Sequence, residues 1–412
     1  AQPMATAGSS GTAPAVGGAG AQAPAAPGGT GAAGPLAASG GKGGTGGAAG
    51  AAERTAGSGG AAPLAGASGA AAGSGGMAGA AAGSSGMAGA AAGSGGMAGA
   101  AGGAAPGEQC APDSDPPQPL MLSGNLGTHD PVVIAADGRY YLFHTGRGIP
   151  SKTSQDLKTW SAAPAVFGSN PSWIAQRVPG ATDLWAPDIS FWGGVYHLYY
   201  SASTFGSNHS CIGHATRAKL NEGSWADQGP VICSNDGSND NWNAIDPNVV
   251  IDQQGAAWLS FGSFWSGIKL VPLDETGKRK GTELIALAAR SGNSTAIEAP
   301  YIVHRCGFYY LFVSWDTCCK GADSTYKIMV GRSNSVRGPY MDRAGMPMMR
   351  GGATLILQGD DRWKGPGHNA VVRGPDGWLN VYHAYAASDG RSMLRISELA
   401  WDADGWPKSA GP

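Results

Sequence analysis

Four carboxylic acids and one histidine recur along the last three quarters of the chain at nearly regular intervals. Asp130, Asp188, Asp246 and Glu298 are separated by 58, 58 and 52 residues, and His368 follows after a further 70. Carboxylates that share one poorly solvated cavity raise one another's pKa values, since like charges repel there. Such a cluster is typical of acid–base catalysis. The alternative is that each acid caps a strand end or a turn, as Asp-Pro pairs often do.

Each of these residues opens a short strand-like segment that leads through a turn into a second, aromatic strand. The five turns with their second strands are residues 138–143, 194–199, 255–260, 307–312 and 377–382. A repeat of this length suits a blade of four antiparallel strands. Five such units fit into residues 107–412, which predicts an all-β five-bladed β-propeller. If each unit begins on the innermost strand, the five residues converge on one central funnel.

The first 106 residues have a different composition. They contain no Phe, Trp or Tyr, and their only charged residues are Lys42, Glu53 and Arg54. A chain of Gly, Ala, Ser and Pro cannot bury enough apolar surface to offset the loss of chain entropy. We therefore expect residues 1–106 to be a disordered, Gly/Ala/Ser-rich tether. Because the chain begins at Ala1 rather than Met, we also expect a processed, secreted protein or one tethered at a cell surface.

Charge and hydropathy exclude several partners. The net charge of −2 leaves no basic surface for nucleic acid. No apolar run approaches the roughly 20 residues of a transmembrane helix. We expect a monomer without an organic cofactor, whose 33 aromatic residues (13 Trp, 12 Tyr and 8 Phe) suit a β domain with a sugar-binding face.

The six cysteines show no Cys-x-x-Cys spacing, which argues against a zinc site. In an exported protein, disulfides are the first expectation. Cys211 and Cys233 flank one excursion between strands and are candidates to pair. A hairpin could also bring Cys306 within reach of Cys318 or Cys319, although the sequence leaves the pairing open.

Two carboxyl groups on opposite sides of a bond are the minimal apparatus for glycoside hydrolysis. Glu298 lies between Ile297 and an Ala-Pro-Tyr segment, which is the most apolar of the four settings and favours a protonated acid. Asp130 lies in a polar Gly-Thr-His approach that suits an ionised base. Asp246 would raise the pKa of Glu298.

Aromatic residues near the predicted funnel are candidates to stack on sugar rings, and Trp185 has the most favourable position in the repeat. Phe205, Phe264 and Trp265 lie in loops after strands. The alternative for each is packing between blades. His368 could bind a metal on the axis, or it could be a core histidine.

Six segments in chain order resemble glycoside hydrolase family 43, and within it the endo-α-1,5-L-arabinanases. They are residues 129–131, 184–188, 243–248, 297–301, 312–319 and 365–369. Segment 324–327, Ser-Thr-Tyr-Lys, together with the paired cysteines resembles the arabinanase branch rather than the xylosidases. The likeness spans about residues 119–408, and the N-terminal low-complexity segment has no counterpart in the family's catalytic domain.

The resemblance implies an inverting hydrolase that cuts internal α-1,5 bonds of arabinan. It implies Asp130 as general base, Asp246 as pKa modulator and Glu298 as general acid, and an axial ion, commonly calcium, beside His368 with mainly water ligands. Asp188 then becomes a substrate-side or structural acid, and Asn243 joins the aromatic residues as a substrate-binding candidate. The alternatives are an exo-arabinanase, arabinofuranosidase or xylosidase on the same site, and a non-catalytic sugar-binding propeller.

Overall fold

The computed structural model describes residues 110–290 and 294–412, and the predicted tether, residues 1–106, lies outside this part of the chain. The described residues form 21 β-strands, one short α-helix, α1 (Ser172–Arg177), and two 3-10 turns, Gly321–Asp323 and Met348–Arg350. Within these residues, no helix is both long and apolar enough to cross a membrane.

The strands form five sheets of consecutive strands. The first two sheets contain β1 (Ser123–Gly124), β2 (Val132–Ala136), β3 (Arg139–Phe143), β4 (Ser151–Ser154) and β5 (Thr159–Ala163), then β6 (Leu184–Trp192), β7 (Val195–Ala202), β8 (Ser210–Arg217) and β9 (Ala226–Ser234). The other three contain β10 (Asn248–Ile251), β11 (Ala257–Phe261), β12 (Ile268–Pro272) and β13 (Ile285–Ala288), then β14 (Ile297–Arg305), β15 (Phe308–Trp315), β16 (Lys327–Ser333) and β17 (Thr354–Gln358), and finally β18 (Trp363–Arg373), β19 (Trp378–Ala386), β20 (Ser392–Trp401) and β21 (Pro407–Ser409).

Each sheet is one blade, and the first strands of the five blades, β2, β6, β10, β14 and β18, contact one another in a closed ring. Blade 1 also includes β1, which pairs in parallel with β5. The second strand of each blade is buried on both faces, as in β15 with its Phe-Tyr-Tyr-Leu-Phe-Val sequence. A strand with neighbouring blades on both sides needs no polar face, so its sequence is a nearly continuous apolar run. The predicted five-bladed propeller is confirmed.

The hydrophobic core lies between successive blades. One cluster joins blades 4 and 5 through Phe312, Tyr382 and Trp401, and another joins blades 1 and 5 through Leu142 and Val381. The remaining three clusters lie between the other pairs of neighbouring blades. Because each blade buries both faces, the ring fixes the position of every inner strand relative to the axis.

The ring is closed by the segment that precedes β2. Residues 118–128 run antiparallel to β20 of blade 5 and form backbone hydrogen bonds such as Leu120 N–H to Ile396 O at 2.8 Å and Leu394 N–H to Leu126 O at 2.7 Å. The same segment contains β1, which pairs with β5. One stretch of chain therefore ties the first blade to the last.

Three disulfides form among the six cysteines. Cys211 pairs with Cys233 across β8 and β9, as predicted. The predicted pairing of Cys306 with Cys318 or Cys319 is wrong, because Cys306 lies at the turn before β15 and the other two follow its far end. The eight residues of β15 span roughly 26 Å at about 3.3 Å per residue. Cys306 instead pairs with Cys110, and Cys318 pairs with Cys319.

Candidate active site

Five residues with a left-handed backbone conformation lie where the inner strands reach the site. They are Asp130, Ala186, Asp246, Ala299 and His368, with φ angles of 50°, 45°, 59°, 54° and 50°. The first four are each followed by a proline. A left-handed backbone at a residue other than glycine costs on the order of 1–3 kcal/mol and persists only where the surroundings hold it.

A ring of hydrogen bonds between blades holds these five residues. In every case the backbone N–H donates to a side chain from the preceding blade around the ring. The pairs are Asp130 to His383 Nδ1 at 3.1 Å, Ala186 to Thr145 Oγ1 at 2.8 Å, Asp246 to Ser201 Oγ at 2.9 Å, Ala299 to Asp246 Oδ2 at 3.1 Å and His368 to Ser314 Oγ at 2.8 Å. The packing of the blades thus sets the backbone of the site directly.

A cavity of about 500 Å³ lies where these turns meet, and all five blades contribute to its wall. The three predicted catalytic carboxylates line it together. Of the ten residues predicted for the site, nine line the cavity: Asp130, Asp246, Glu298, Trp185, Phe205, Asn243, Phe264, Trp265 and His368.

Asp130 is a buried carboxylate surrounded by hydrogen-bonding groups. Thr145 donates its hydroxyl to Oδ2 at 2.6 Å, and His368 Nδ1 lies 3.1 Å from Oδ1. His129 Nε2 and His383 Nδ1 lie 3.5 and 3.4 Å from the same oxygen. Burial is the largest single influence and favours the neutral acid, but the three histidines and Thr145 together lower the pKa of Asp130 below its ordinary value. Asp130 is therefore ionised near neutral pH, as a general base must be.

Glu298 is a buried carboxyl group with hydroxyl partners on both oxygens. Tyr326 donates to Oε1 at 2.5 Å and Ser263 donates to Oε2 at 2.6 Å. Burial raises the pKa of Glu298, and the negative charge of Asp130 adds to that rise, while the two hydroxyls oppose it. The net rise in pKa is what a general acid needs in order to keep its proton near neutral pH.

Asp246 interacts with both Glu298 and Asp130. Its Oδ2 accepts the N–H of Ala299, the residue after Glu298, so it fixes the backbone that carries the acid. Burial, followed by repulsion from Glu298 and Asp130, raises the pKa of Asp246 well above its ordinary value. The carboxyl groups of Asp246 and Glu298 titrate as a pair, and the last proton to leave the pair is retained by their mutual repulsion.

Asp188 does not line the cavity. Of the two roles expected for it, substrate-side and structural, its position favours the structural one. Its carboxylate accepts the N–H of Val249 at 2.8 Å and faces the amide of Asn248 at 3.4 Å, both in β10 of the next blade. The pairing register of β6 shifts between Trp185 and Asp188, so the chain bulges there. The 58-residue spacing suggested the wrong alignment, whereas alignment on the prolines places Ala186, not Asp188, in phase with Asp130.

The predicted substrate-binding residues form an aromatic border to the cavity. The rings of Trp185 and Phe205 lie 5.3 Å apart, and 81% of Phe205 is exposed. Phe264 and Trp265 adopt left-handed backbone angles of 51° and 37°. Asn243 has a buried carbonyl oxygen without a hydrogen-bond partner among the described residues. One exposed ring and three half-buried rings beside an unused polar atom suit a ligand that has apolar faces and hydroxyl groups.

Sequence reasoning missed several groups that complete the site. His129 and Tyr326 lie inside segments that carry the family resemblance, so that resemblance was a signal for them. Thr145, Ser263 and His383 gave no signal, because small polar residues after strands and a histidine within a strand are ordinary in any β protein.

His368, the predicted metal ligand, has a ring nitrogen available for a cation, whereas two nearby clusters of possible ligands do not. Nδ1 of His368 faces a carboxylate oxygen and so carries the ring proton, which leaves the lone pair of Nε2 available for a metal. Two donor clusters share His129, one with Cys318 and Cys319 and one with Asp130 and His383. In the first the sulfurs form a disulfide, and in the second Nδ1 of His383 already accepts a backbone N–H.

Comparison with known proteins agrees with this geometry. The model of the family described as "Glycosyl hydrolases family 43" matches residues 124–407. An extracellular endo-α-(1→5)-L-arabinanase of Bacillus subtilis is 45% identical over 285 residues, which cover 68% of this chain and 86% of that protein. An extracellular exo-α-(1→5)-L-arabinofuranosidase of Cellvibrio japonicus is 43% identical over 301 residues, which cover 69% of this chain and 86% of that protein.

A solved structure is also similar to this chain. The endo-arabinanase of Bacillus licheniformis superimposes with a TM-score of 0.67 at 49% sequence identity, and the match covers 70% of this chain and 99% of that one. The region that the family model matches, residues 124–407, includes strands of all five blades and the residues that line the cavity.

Proposed function

Because the chain belongs to glycosyl hydrolase family 43, we propose that it is an endo-arabinanase that cuts internal α-1,5-L-arabinofuranosidic bonds. The observation that carries this proposal is the pairing of an ionised Asp130 with a Glu298 of raised pKa in one cavity. The substrate is inferred from the arabinanases among the relatives.

We propose an inverting reaction. Asp130 takes a proton from a water molecule as that water attacks the anomeric carbon, and Glu298 gives its proton to the departing glycosidic oxygen. The bond from the anomeric carbon to that oxygen breaks as the bond to water forms, and the configuration at carbon inverts. This mechanism predicts that the two carboxyl groups lie about 6.5–9.5 Å apart, which leaves room for the water.

The endo mode is preferred to the exo mode because relatives at 45% and 49% identity are named endo-arabinanases. An exo mode is the second candidate, since the relative at 43% identity is named an exo-acting enzyme. Product analysis on linear, debranched arabinan separates them. A ladder of oligosaccharides supports the endo mode, and a single small product supports the exo mode. Retained binding without any release would reject both in favour of a sugar-binding propeller.

We propose that His368 holds a calcium ion through Nε2, with water as its other ligands. A bound cation would supply positive charge next to the carboxylates. Within the protein, His368 also holds Asp130 through Nδ1. His368→Ala should therefore lower activity, and prolonged dialysis against a chelator should lower it as well. If the chelator has no effect and the dialysed protein contains no calcium, the metal is rejected while the contact with Asp130 stands.

We further propose that the protein is an exported monomer. The support for export is that the relatives from Bacillus subtilis and Cellvibrio japonicus are named extracellular enzymes. Attachment to a cell surface through residues 1–106 is a separate proposal, tested by locating the full chain in cell fractions before and after deletion of those residues.

A further inference from the structure

Two adjacent cysteines joined to each other form part of the cavity wall. Cys318 and Cys319 follow β15, and both line the cavity. Sγ of Cys319 lies 3.6 Å from Nε2 of His129, and the N–H of Cys319 donates to the hydroxyl of Tyr385 at 2.9 Å. The disulfide is thus in contact with the residue that precedes the general base.

His129 is held between this disulfide and blade 5. The hydroxyl of Ser392 donates to the carbonyl of Thr128 at 2.7 Å, so its oxygen is free to accept Nδ1–H of His129 at 3.2 Å. Nε2 of His129 then faces both Cys319 Sγ and Asp130 Oδ1, the latter at 3.5 Å. Because Ser392 lies on one side of the ring and sulfur on the other, the disulfide limits rotation of His129 away from Asp130.

The same disulfide begins the loop that leads to the general acid. The residues that flank this loop are joined by a backbone hydrogen bond, in which the N–H of Thr325 donates to the carbonyl of Thr317 at 2.9 Å. The hydroxyls of these two threonines are also 2.9 Å apart. The next residue is Tyr326, which donates to Glu298. One short loop therefore contacts the base side of the cavity at its beginning and the acid side at its end.

We propose that the Cys318–Cys319 disulfide is a positioning element that holds His129 beside Asp130 and anchors the loop that carries Tyr326 to Glu298. This inference rests on the proposed function. Closing two neighbouring cysteines into one ring removes side-chain rotation that two separate thiols would keep. Reduction by a dithiol breaks the sulfur–sulfur bond, adds two electrons and two protons to give two thiols, and converts the dithiol into its own disulfide.

The test compares the full chain with its Cys318→Ala/Cys319→Ala variant on linear arabinan. We expect kcat to fall on the order of tenfold, since small misplacements of catalytic groups are costly, while KM stays within about twofold and the melting temperature changes little. The control variant is Cys110→Ser/Cys306→Ser, whose disulfide lies at the other end of β15. We expect the control to lose stability but keep its kcat.

A double-mutant cycle with His129→Ala tests whether the disulfide affects kcat through His129. If the disulfide acts partly through His129, the triple variant loses less than the product of the two separate losses. Treatment with dithiothreitol provides a second measurement that does not depend on folding of a variant. We expect it to lower kcat of the wild-type chain and to leave that of the Cys318→Ala/Cys319→Ala variant unchanged.

Three results would overturn the inference: an unchanged kcat in the variant, a change in KM alone, or an equal loss of kcat in the control variant. A change in KM alone would instead make the disulfide a sugar contact. If the wild-type chain releases no sugar from arabinan, the proposed function fails, and the positioning role fails with it.

Discussion

Asp188 in blade 2 and Glu298 in blade 4 have similar burial and similarly raised pKa values, yet only Glu298 lines the cavity. Both lie in an inner strand, and only 3% and 7% of their surfaces are exposed. Burial is the main reason that the pKa of each is raised, to about 7 for Asp188. Burial and a perturbed pKa would therefore select both as catalytic candidates.

The difference lies in what each carboxyl group contacts. Asp188 contacts two donors on β10, so it joins blade 2 to blade 3. Glu298 accepts two side-chain hydroxyls, from Ser263 and Tyr326, and lines the cavity. Relative to the left-handed residue of its blade, Asp188 lies two positions after and Glu298 one position before. A shift of a few residues across a bulge thus separates a structural acid from a candidate catalytic one.

The largest effect is expected for Glu298→Ala. Loss of the proton donor should lower kcat/KM on arabinan by about 10²–10⁴-fold. An aryl arabinoside with an acidic phenol should be affected far less, provided it enters the site, because that leaving group departs without a proton. The melting temperature should fall less than in Asp188→Ala, since the two hydroxyls that lose their acceptor line the cavity and the repulsion from Asp130 is removed.

Asp130→Ala is the matched comparison for that prediction. Removal of the base should be severe on both substrates, and azide should partly restore turnover as an external nucleophile. If Glu298→Ala is equally damaging on both substrates while Asp130→Ala is selective, the acid and base roles are reversed.

Asp188→Ala should have the opposite profile to Glu298→Ala. It leaves the buried N–H of Val249 without an acceptor, which costs about 1–3 kcal/mol. For a domain of about 300 residues we expect the melting temperature to fall by about 2–5 °C, while kcat of the folded protein stays within a few-fold. Calorimetry and initial rates check the two parts. A loss of kcat as large as that of Glu298→Ala would place Asp188 in the reaction.

The fold was predictable because its signal is local and repeated. Five aromatic second strands, each preceded by a glycine turn, define the five blades. Closure of the ring was not predictable. Leu120 pairs with Ile396 across most of the domain, and nothing in either segment identifies its partner. The partner of Cys306 was hidden for the same reason, since Cys110 is 196 residues away.

The site was predictable to the extent that proline and acid recur together. Asp130 and Asp246, each followed by proline, lie in the predicted phase. The apolar setting of Glu298 indicated the acid, and the family resemblance implied the same role. Asp188 was misplaced because equal spacing does not account for a bulge. The hydroxyls of Thr145 and Ser263 stayed hidden, because three-dimensional contact alone distinguishes them from other small polar residues.

Asp246→Asn tests whether two carboxyl groups share one proton. In the wild type, the charge of one opposes ionisation of the other, which raises the pH at which the last proton leaves. With asparagine that repulsion is lost and Glu298 ionises at lower pH. The alkaline limb of the kcat/KM profile should therefore move toward acid, most clearly on arabinan. An unmoved limb would mean that Asp246 does not raise the pKa of Glu298 and that burial and Asp130 account for the rise.

The smallest expected effect is a change in how stability depends on pH, and it is specific to Asp188. The pKa of this acid is about 7 in the folded chain and about 3.9 in the unfolded chain. Between these values the folded state binds more protons, so stability is fully present below pH 4 and is lost as pH rises through 7. Asp188→Asn cannot titrate, so its melting temperature should fall less than that of the wild type over this interval, by a few degrees. Asp246 and Glu298 change the stability of both proteins in the same direction as pH rises. The difference between the two curves of melting temperature against pH therefore isolates the contribution of Asp188. If the two curves run parallel from pH 4 to 7, Asp188 is ionised throughout, and the donors on Val249 and Asn248 outweigh its burial.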